Sequence, residues 1–406
     1  MGDRSAMHGQ LVRRREFLRE SSRAALGCSL LALSACSQEN QKSNGAQGDA
    51  AWTTLISEWE TQIPELLEEN LVPGLSMALV RDGKLAWRRG FGVKDSASKA
   101  AVDNDTVFEA ASMSKPVFAY AVMKLCEKGV LDLDTPLTKY TSERFLEGDP
   151  RLELITARYV LSHASGFQNW RSPAKPLAIH FDPGAQWLYS GEGYNYLQSV
   201  VTHLTGHVDA DVCGGYEADY RVCATDFDEY MKAQLLVPFG MDSSGYVWND
   251  LSEKRMARPH DKQGKPLENK KSTALDVARY GSAGALLATP ADYAKFLIEV
   301  IDPKPSDASR LTTESVREML RPQMKVEVHD EYSISWSLGW RIAHTKDGDL
   351  ISHGGDNAGF HCVAGGSVAR KSGFVIMTNG DNGVALLGKL APAVDRGLQS
   401  LPDGRQ

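Results

Sequence analysis

The sequence predicts a mixed α/β chain. One antiparallel sheet is built from both ends of the chain, with a helical segment inserted between them. Three observations carry this. Residues 74–80 and 84–92 read as strands joined by Asp82-Gly83, a strong two-residue hairpin signal. Through the middle of the chain, apolar residues recur at helical spacing and prolines punctuate the connections. From Ser337 onward the pattern returns to strands, and a last helix closes the chain.

The elements follow in order. Residues 52–70 carry Leu55, Ile56, Trp59, Ile63, Leu66 and Leu67 at helical periodicity and read as an amphipathic helix. After the hairpin, 117–128 reads as a helix closed by Gly129. Pro136, Pro150, Pro173, Pro176 and Pro183 break up 130–185, leaving a helical piece near 156–163. Further helices are expected at 194–204, 226–236, 292–300 and 313–320. Strands are expected at 338–343, 350–352, 360–368 and 374–379, then a helix at 384–399. The domain reading is a single body over 51–398. Residues 51–111 and 275–398 form its α/β part, 112–274 its helical part, and 399–406 a tail.

The 406 residues are 42% hydrophobic and 24% charged, which excludes disorder, collagen, a coiled coil and a polytopic membrane protein. A net charge of −7 gives no electrostatic case for nucleic-acid binding. Six cysteines in this length do not make a disulfide scaffold.

The first residues read as an address. Arg14, Arg15, Phe17, Leu18 and Arg19 fit the twin-arginine export motif closely, and the apolar stretch 24–35 has the length of a signal-peptide core. Leu33-Ser34-Ala35-Cys36 resembles the lipobox of bacterial lipoproteins. The resemblance implies a signal peptide over 1–35, a lipid anchor on Cys36 and a flexible tether over 36–50. Removing 1–35, with six arginines and three acids, takes the net charge from −7 to −10. The implied location is periplasmic, and Ser37 after the cysteine leans toward the outer membrane.

The chemistry centres on Ser112-Met113-Ser114-Lys115. S-x-x-K also occurs at Ser96–Lys99 and Ser172–Lys175, but in polar or proline-rich loops. Ser112 instead opens a strong helix, with Pro116 in the first turn, where proline is tolerated. Residues i and i+3 share a helix face, so Lys115 can reach the Ser112 hydroxyl. A serine needs a base beside it to act as a nucleophile, and a desolvated lysine can serve.

Phe108-Glu109-Ala110-Ala111-Ser112-Met113-Ser114-Lys115-Pro116 resembles the nucleophile motif of the serine β-lactamase and penicillin-binding-protein superfamily, closest to class C β-lactamases and family VIII carboxylesterases. Leu161-Ser162-His163-Ala164-Ser165-Gly166 resembles a loop of that family, and Ser282-Ala283-Gly284 through Phe296 a later helix. Tyr189-Ser190-Gly191 stands at the second motif, Tyr-x-Asn, without the asparagine. His353-Gly354-Gly355 stands at the third, Lys-Thr/Ser-Gly, without the lysine.

The resemblance implies that Tyr189, its phenol pKa lowered by a nearby ammonium, activates Ser112 or protonates the leaving group. Gly191 cannot supply the side-chain amide with which the family holds a substrate amide. His353, largely neutral at neutral pH, weakens carboxylate recognition while still able to donate or relay a proton. Gly354 and Gly355 let the strand approach the substrate. The backbone N–H groups of Ser112 and Asp356 are the expected oxyanion donors.

Weaker signals have plainer readings. His203 and His207 lack the Glu of a zinc motif and read as a helix end. Cys213 and Cys223 could clip a surface hairpin at the site rim. Cys126 and Cys362 read as buried small hydrophobes, and Trp336 and Trp340 as core aromatics that could line an acyl pocket.

The expected activity is acyl-enzyme hydrolysis of small to medium esters, with no metal or organic cofactor required. The expected partners are a small-molecule ester, the membrane through Cys36, and contact with peptidoglycan. The alternatives are amide chemistry on β-lactams or D-amino-acid peptides, acyl transfer, and non-catalytic binding of peptidoglycan or penicillin.

Overall fold

The computed structural model describes residues 48–206, 216–217 and 222–401. Glu60–Gln399 clusters as one unit and contains the sheet and the site. The described part of the other unit, 48–59 and 400–401, is helical up to Ser400.

Nine strands form one antiparallel sheet. They are β1 (Gly74–Arg81), β2 (Lys84–Asp95), β3 (Ala100–Ala101), β4 (Met324–Val328), β5 (Ser333–Trp336), β6 (Arg341–Thr345), β7 (Gly348–Asn357), β8 (Phe360–Ser367) and β9 (Ser372–Thr378), in the spatial order β3-β2-β1-β9-β8-β7-β6-β5-β4. The two ends of the chain meet where β1 pairs with β9, Leu75 opposite Thr378. The central strands β1, β8 and β9 are buried almost throughout, because helices cover both faces. The hairpin expected at Asp82-Gly83 is present, with φ of 53° and 66° at its two residues, the geometry of a type I′ turn.

Two expectations for the second half are corrected. Strands begin at Met324, not after Ser337. β4 and β5 were hidden because β4 is a largely exposed edge strand with no apolar run. The strand expected from Leu338 starts only at Arg341, since Ser337–Trp340 is a turn closed by the Ser337 N–H on the Trp340 carbonyl at 2.8 Å.

Between the sheet halves lie the helices Ser114–Glu127, Ala157–Leu161, Gly191–Thr205, Asp226–Met231 and Asp250–Arg255, the last not expected from the sequence, followed by Ala274–Gly284. The helix expected from Ser282 through Phe296 is instead the end of this one and a separate helix, Pro290–Ile301, with the strand Leu287–Ala288 between them. Ser114–Glu127 is buried on nearly every side. A helix covered all round lies at the centre of its domain, and the nucleophile motif sits at its start. Phe118 packs against Tyr194 and Phe227, while Trp340 stacks on Phe296 in the core. Tyr216–Glu217 pairs with Val222–Cys223. Cys223 is disulfide-bonded and buried. Cys213, His207 and Cys36 lie outside the described residues.

Candidate active site

The nucleophile turn is held from several sides. Phe108–Glu109 pairs with Leu287–Ala288, and the Ala110 N–H bonds the Leu286 carbonyl at 2.8 Å. Ala111 then adopts φ +47°, a left-handed conformation that costs a non-glycine residue about 1–3 kcal/mol. Its neighbours enforce it. The Ser114 hydroxyl donates to the Ala111 carbonyl at 2.6 Å and accepts from the Leu286 N–H at 3.0 Å, and the Tyr293 hydroxyl donates to the Met113 carbonyl at 2.9 Å. The reversal sets Ser112 in a single 3₁₀ turn, Ala111–Met113, ahead of the α-helix proper.

Lys115 is fully buried, and its Nζ donates to Ser112 Oγ at 3.1 Å and to the Ala283 carbonyl at 2.7 Å. It lies 4.9 Å from the Tyr189 ring centroid, 5.6 Å from that of Tyr194 and 5.9 Å from that of Trp170. Burial brings its pKa down to about 7. The serine–lysine pairing read from the sequence is therefore present, whereas Ser96–Lys99 and Ser172–Lys175 lie in turns.

Tyr189 stands within reach of the same serine, but its electrostatics are the reverse of the expectation. Burial raises its pKa, outweighing the opposite pull of Ser112. Tyr189 is therefore protonated at neutral pH, and Lys115 is the more readily deprotonated of the two.

The sequence reading gave His163 no role. It sits at φ +58°, fully buried. Its carbonyl accepts the Leu188 N–H at 2.8 Å and its Nδ1 accepts the Ser190 N–H at 3.1 Å, so it fixes the chain on both sides of Tyr189. The two rings lie 4.2 Å apart. Ser190 caps the helix Gly191–Thr205 by accepting the Gly193 N–H at 2.9 Å. The family-like loop around His163 was the available signal; its contact with Tyr189 is a tertiary fact.

His353 is buried, and its Nδ1 donates to the Gly354 carbonyl at 2.7 Å. Burial, reinforced by the Lys115 charge, lowers its pKa to about 3, so it is neutral throughout the physiological range. With Nδ1 committed, its free nitrogen Nε2 is an acceptor, not the expected donor. Trp336 packs on His353, Tyr189, His163 and Trp187 and forms a wall of the site, while Trp340 is core.

β6 pairs with β7 only as far as Ser352, leaving that edge of 353–357 open. A Cβ on Gly355 would fall 2.4 Å from the Ala110 carbonyl oxygen, so this glycine lets the strand close onto the nucleophile turn. The Asp356 side chain accepts from His361 Nδ1 at 2.7 Å, and Cys362 Sγ donates to the Ala110 carbonyl at 3.1 Å. Gly191 offers no free N–H to a substrate, because Asn169 takes it through both its carbonyl (3.1 Å) and Oδ1 (2.9 Å).

A cavity of about 370 Å³ beside these residues is lined by Trp170, Arg171, Glu192, Lys270, Tyr280 and Asn357, among others. A larger hollow of about 990 Å³, walled by Val316, Ile342 and Ile351, contains none of the residues around Ser112.

A serine held beside a desolvated lysine and a phenol, on an antiparallel sheet flanked by helices, defines a serine hydrolase-type site of the β-lactamase and penicillin-binding superfamily. The chain matches the Beta-lactamase family over residues 59–398 and belongs to it. It is similar to esterase EstB of Burkholderia gladioli, 28% identical over 54% of this chain and 58% of the relative. Penicillin-binding protein 4* of Bacillus subtilis is 25% identical over 48% of this chain and 43% of the relative. The matches thus span about half the length of these curated relatives. The octameric penicillin-binding protein homologue from Pyrococcus abyssi superposes with a TM-score of 0.67 at 22% identity, over 86% of this chain and 79% of its own, and shows the same fold.

Proposed function

We propose that this protein is a carboxylesterase working through an acyl-enzyme on Ser112. The observation that carries the reading is the 3.1 Å contact between Ser112 Oγ and a lysine held near neutrality by burial. Neutral Lys115 takes the Ser112 proton as the oxygen attacks the ester carbonyl. The oxyanion forms against the N–H groups of Ser112 and Asp356. Tyr189 protonates the departing alkoxide, and the Lys115 ammonium restores its proton. Water, giving its proton to Lys115, then frees the acid.

Esters are favoured over amides for two reasons. Position 353 carries a neutral imidazole where a permanent cation would hold a substrate carboxylate. Position 191 has no side chain to hold a substrate amide. The similarity to esterase EstB supports the same reading. Hydrolysis of 4-nitrophenyl butyrate is expected to fall at least a thousandfold in Ser112→Ala; equal rates in both proteins would remove Ser112 from the mechanism. Greater turnover of nitrocefin or D-Ala-D-Ala peptides than of the ester would replace it with amide chemistry.

We further propose that the chain is exported and lipid-anchored through Cys36, on the motifs of residues 14–36. Radiolabelled palmitate is expected in the wild type and absent from Cys36→Ala.

A further inference from the structure

We propose that Trp170 determines acyl-group specificity, and that the cavity it shares with Tyr280 receives an uncharged aromatic acyl group. The inference deepens the esterase reading and rests on it.

Trp170 and Tyr280 are large aromatic residues left 44% and 39% exposed, outside the hydrophobic core. Their rings meet edge to face, with centroids 6.3 Å apart and planes at 79°. Both line the 370 Å³ cavity. A pair of exposed rings at a concave site offers a third ring an edge and a face.

The cavity adjoins the reacting serine. The Trp170 ring centroid is 5.9 Å from Lys115 Nζ. Gly284 and Ala285, in its lining, follow Ala283, whose carbonyl holds that same ammonium. Asn357, also in the lining, follows the proposed oxyanion donor Asp356. The leaving oxygen has to face Tyr189, which stands within reach of Ser112 and is not part of this cavity wall. The acyl half of the ester is then directed to the Trp170 side.

The charges around the cavity engage one another. Arg171 Nη2 lies 2.7 Å from Glu192 Oε2. Asp276 accepts from the Thr273 hydroxyl at 2.7 Å and from its N–H at 2.9 Å. Lys270 lies within electrostatic reach of both Asp276 and Glu109. The cavity therefore presents no excess of either sign, and a neutral guest suits it.

Gly191 explains how Trp170 is seated. A Cβ there would fall 2.7 Å from Trp170 Cη2, 2.8 Å from its Cζ3 and 2.8 Å from the Asn169 carbonyl oxygen. Real Cβ atoms do not come so close, so any side chain at 191 and the indole exclude each other. The absence of an amide at 191 and the presence of an aromatic wall are one structural choice, replacing directional hydrogen bonding of the acyl group by ring contact.

The test compares esters that share a leaving group: 4-nitrophenyl acetate, 3-cyclohexylpropanoate and 3-phenylpropanoate. The wild-type protein is expected to favour the phenyl ester over both others in kcat/KM. Trp170→Ala is expected to lower the phenyl-to-acetate ratio about tenfold or more, and Trp170→Phe to retain most of it. An unchanged ratio in Trp170→Ala, or equal preference for cyclohexyl and phenyl, overturns this inference while leaving the esterase reading in place. If the wild type turns over none of the three, the esterase reading falls. The cavity is then judged by saturation-transfer NMR of methyl 3-phenylpropanoate on Ser112→Ala. A signal lost in Ser112→Ala/Trp170→Ala upholds the aromatic site, and equal signals, or none in either, overturn it.

Discussion

Lys115→Met is expected to lower ester turnover by about 10²–10⁴-fold, the usual contribution of a positioned general base, and at the same time to raise the melting temperature. Both effects follow from one burial. The Lys115 side chain has no solvent exposure, and its pKa is about 7 in the fold against about 10.4 in an unfolded chain. Folding therefore works against protonation of this group. The penalty is complete below pH 7, shrinks as pH rises from 7 toward 10.4, and is absent above that. At about 1.4 kcal/mol per pH unit, it reaches a few kcal/mol at neutral pH. A methionine of similar length fills the space with no charge to desolvate. The gap in melting temperature between variant and wild type should therefore be widest below pH 7 and narrow on the alkaline side. The same titration governs catalysis. Only the neutral amine can take the serine proton, so kcat/KM should rise about tenfold per pH unit below 7 and level off above it. His353, near 3, and Tyr189, raised above its ordinary value, add no limb in between. A flat profile from pH 5 to 9, or a variant no more stable than wild type at pH 6, would show that Lys115 is not the buried base.

What could be read from the sequence divides along the range of the interactions. Ser112 and Lys115 were legible because their contact is one helical turn long, and local spacing dictates it. β1 and β9 were legible because each is a buried apolar run. The protonation state of Tyr189 was not. It depends on how deeply residues such as His163 and Trp336 bury the phenol, and those come from a loop and a strand far apart in the chain. Gly191 was correctly seen as a missing amide, but its reason lay in Trp170, brought against it by loop packing. β4 escaped because an exposed edge strand need not alternate cleanly, and the helix Ala274–Gly284 was legible only at its end, Ser282–Gly284.

Gly355→Ala is expected to reduce kcat about a hundredfold, the scale of losing one oxyanion donor, and to destabilise the fold by about 1–3 kcal/mol, as overpacking does. The added methyl would lie 2.4 Å from the Ala110 carbonyl oxygen, 2.6 Å from Cys362 Sγ and 3.1 Å from Ala111 Cβ. None of these can move aside cheaply. Ala110 is tied to Leu286, Ala111 is held in its left-handed conformation by Ser114, and Cys362 is buried in β8. The strand must yield instead, because the 353–357 edge of β7 has no β6 partner to hold it. It would carry the Asp356 N–H away from the carbonyl being attacked, while the Ser112–Lys115 contact, anchored by the Ala283 carbonyl, is expected to stay formed. Transition-state stabilisation is then lost with the nucleophile intact, so a slow-reacting phosphonate ester should still label Ser112, only more slowly. Gly354→Ala is the comparison: its nearest neighbour would be the Cys362 carbonyl oxygen at 3.6 Å, an ordinary contact, and its loss of stability in urea should be well below that of Gly355→Ala. A Gly355→Ala enzyme within twofold of wild type in kcat would mean that the 354–356 edge does not form the oxyanion site, and that the second donor must be sought elsewhere around Ser112.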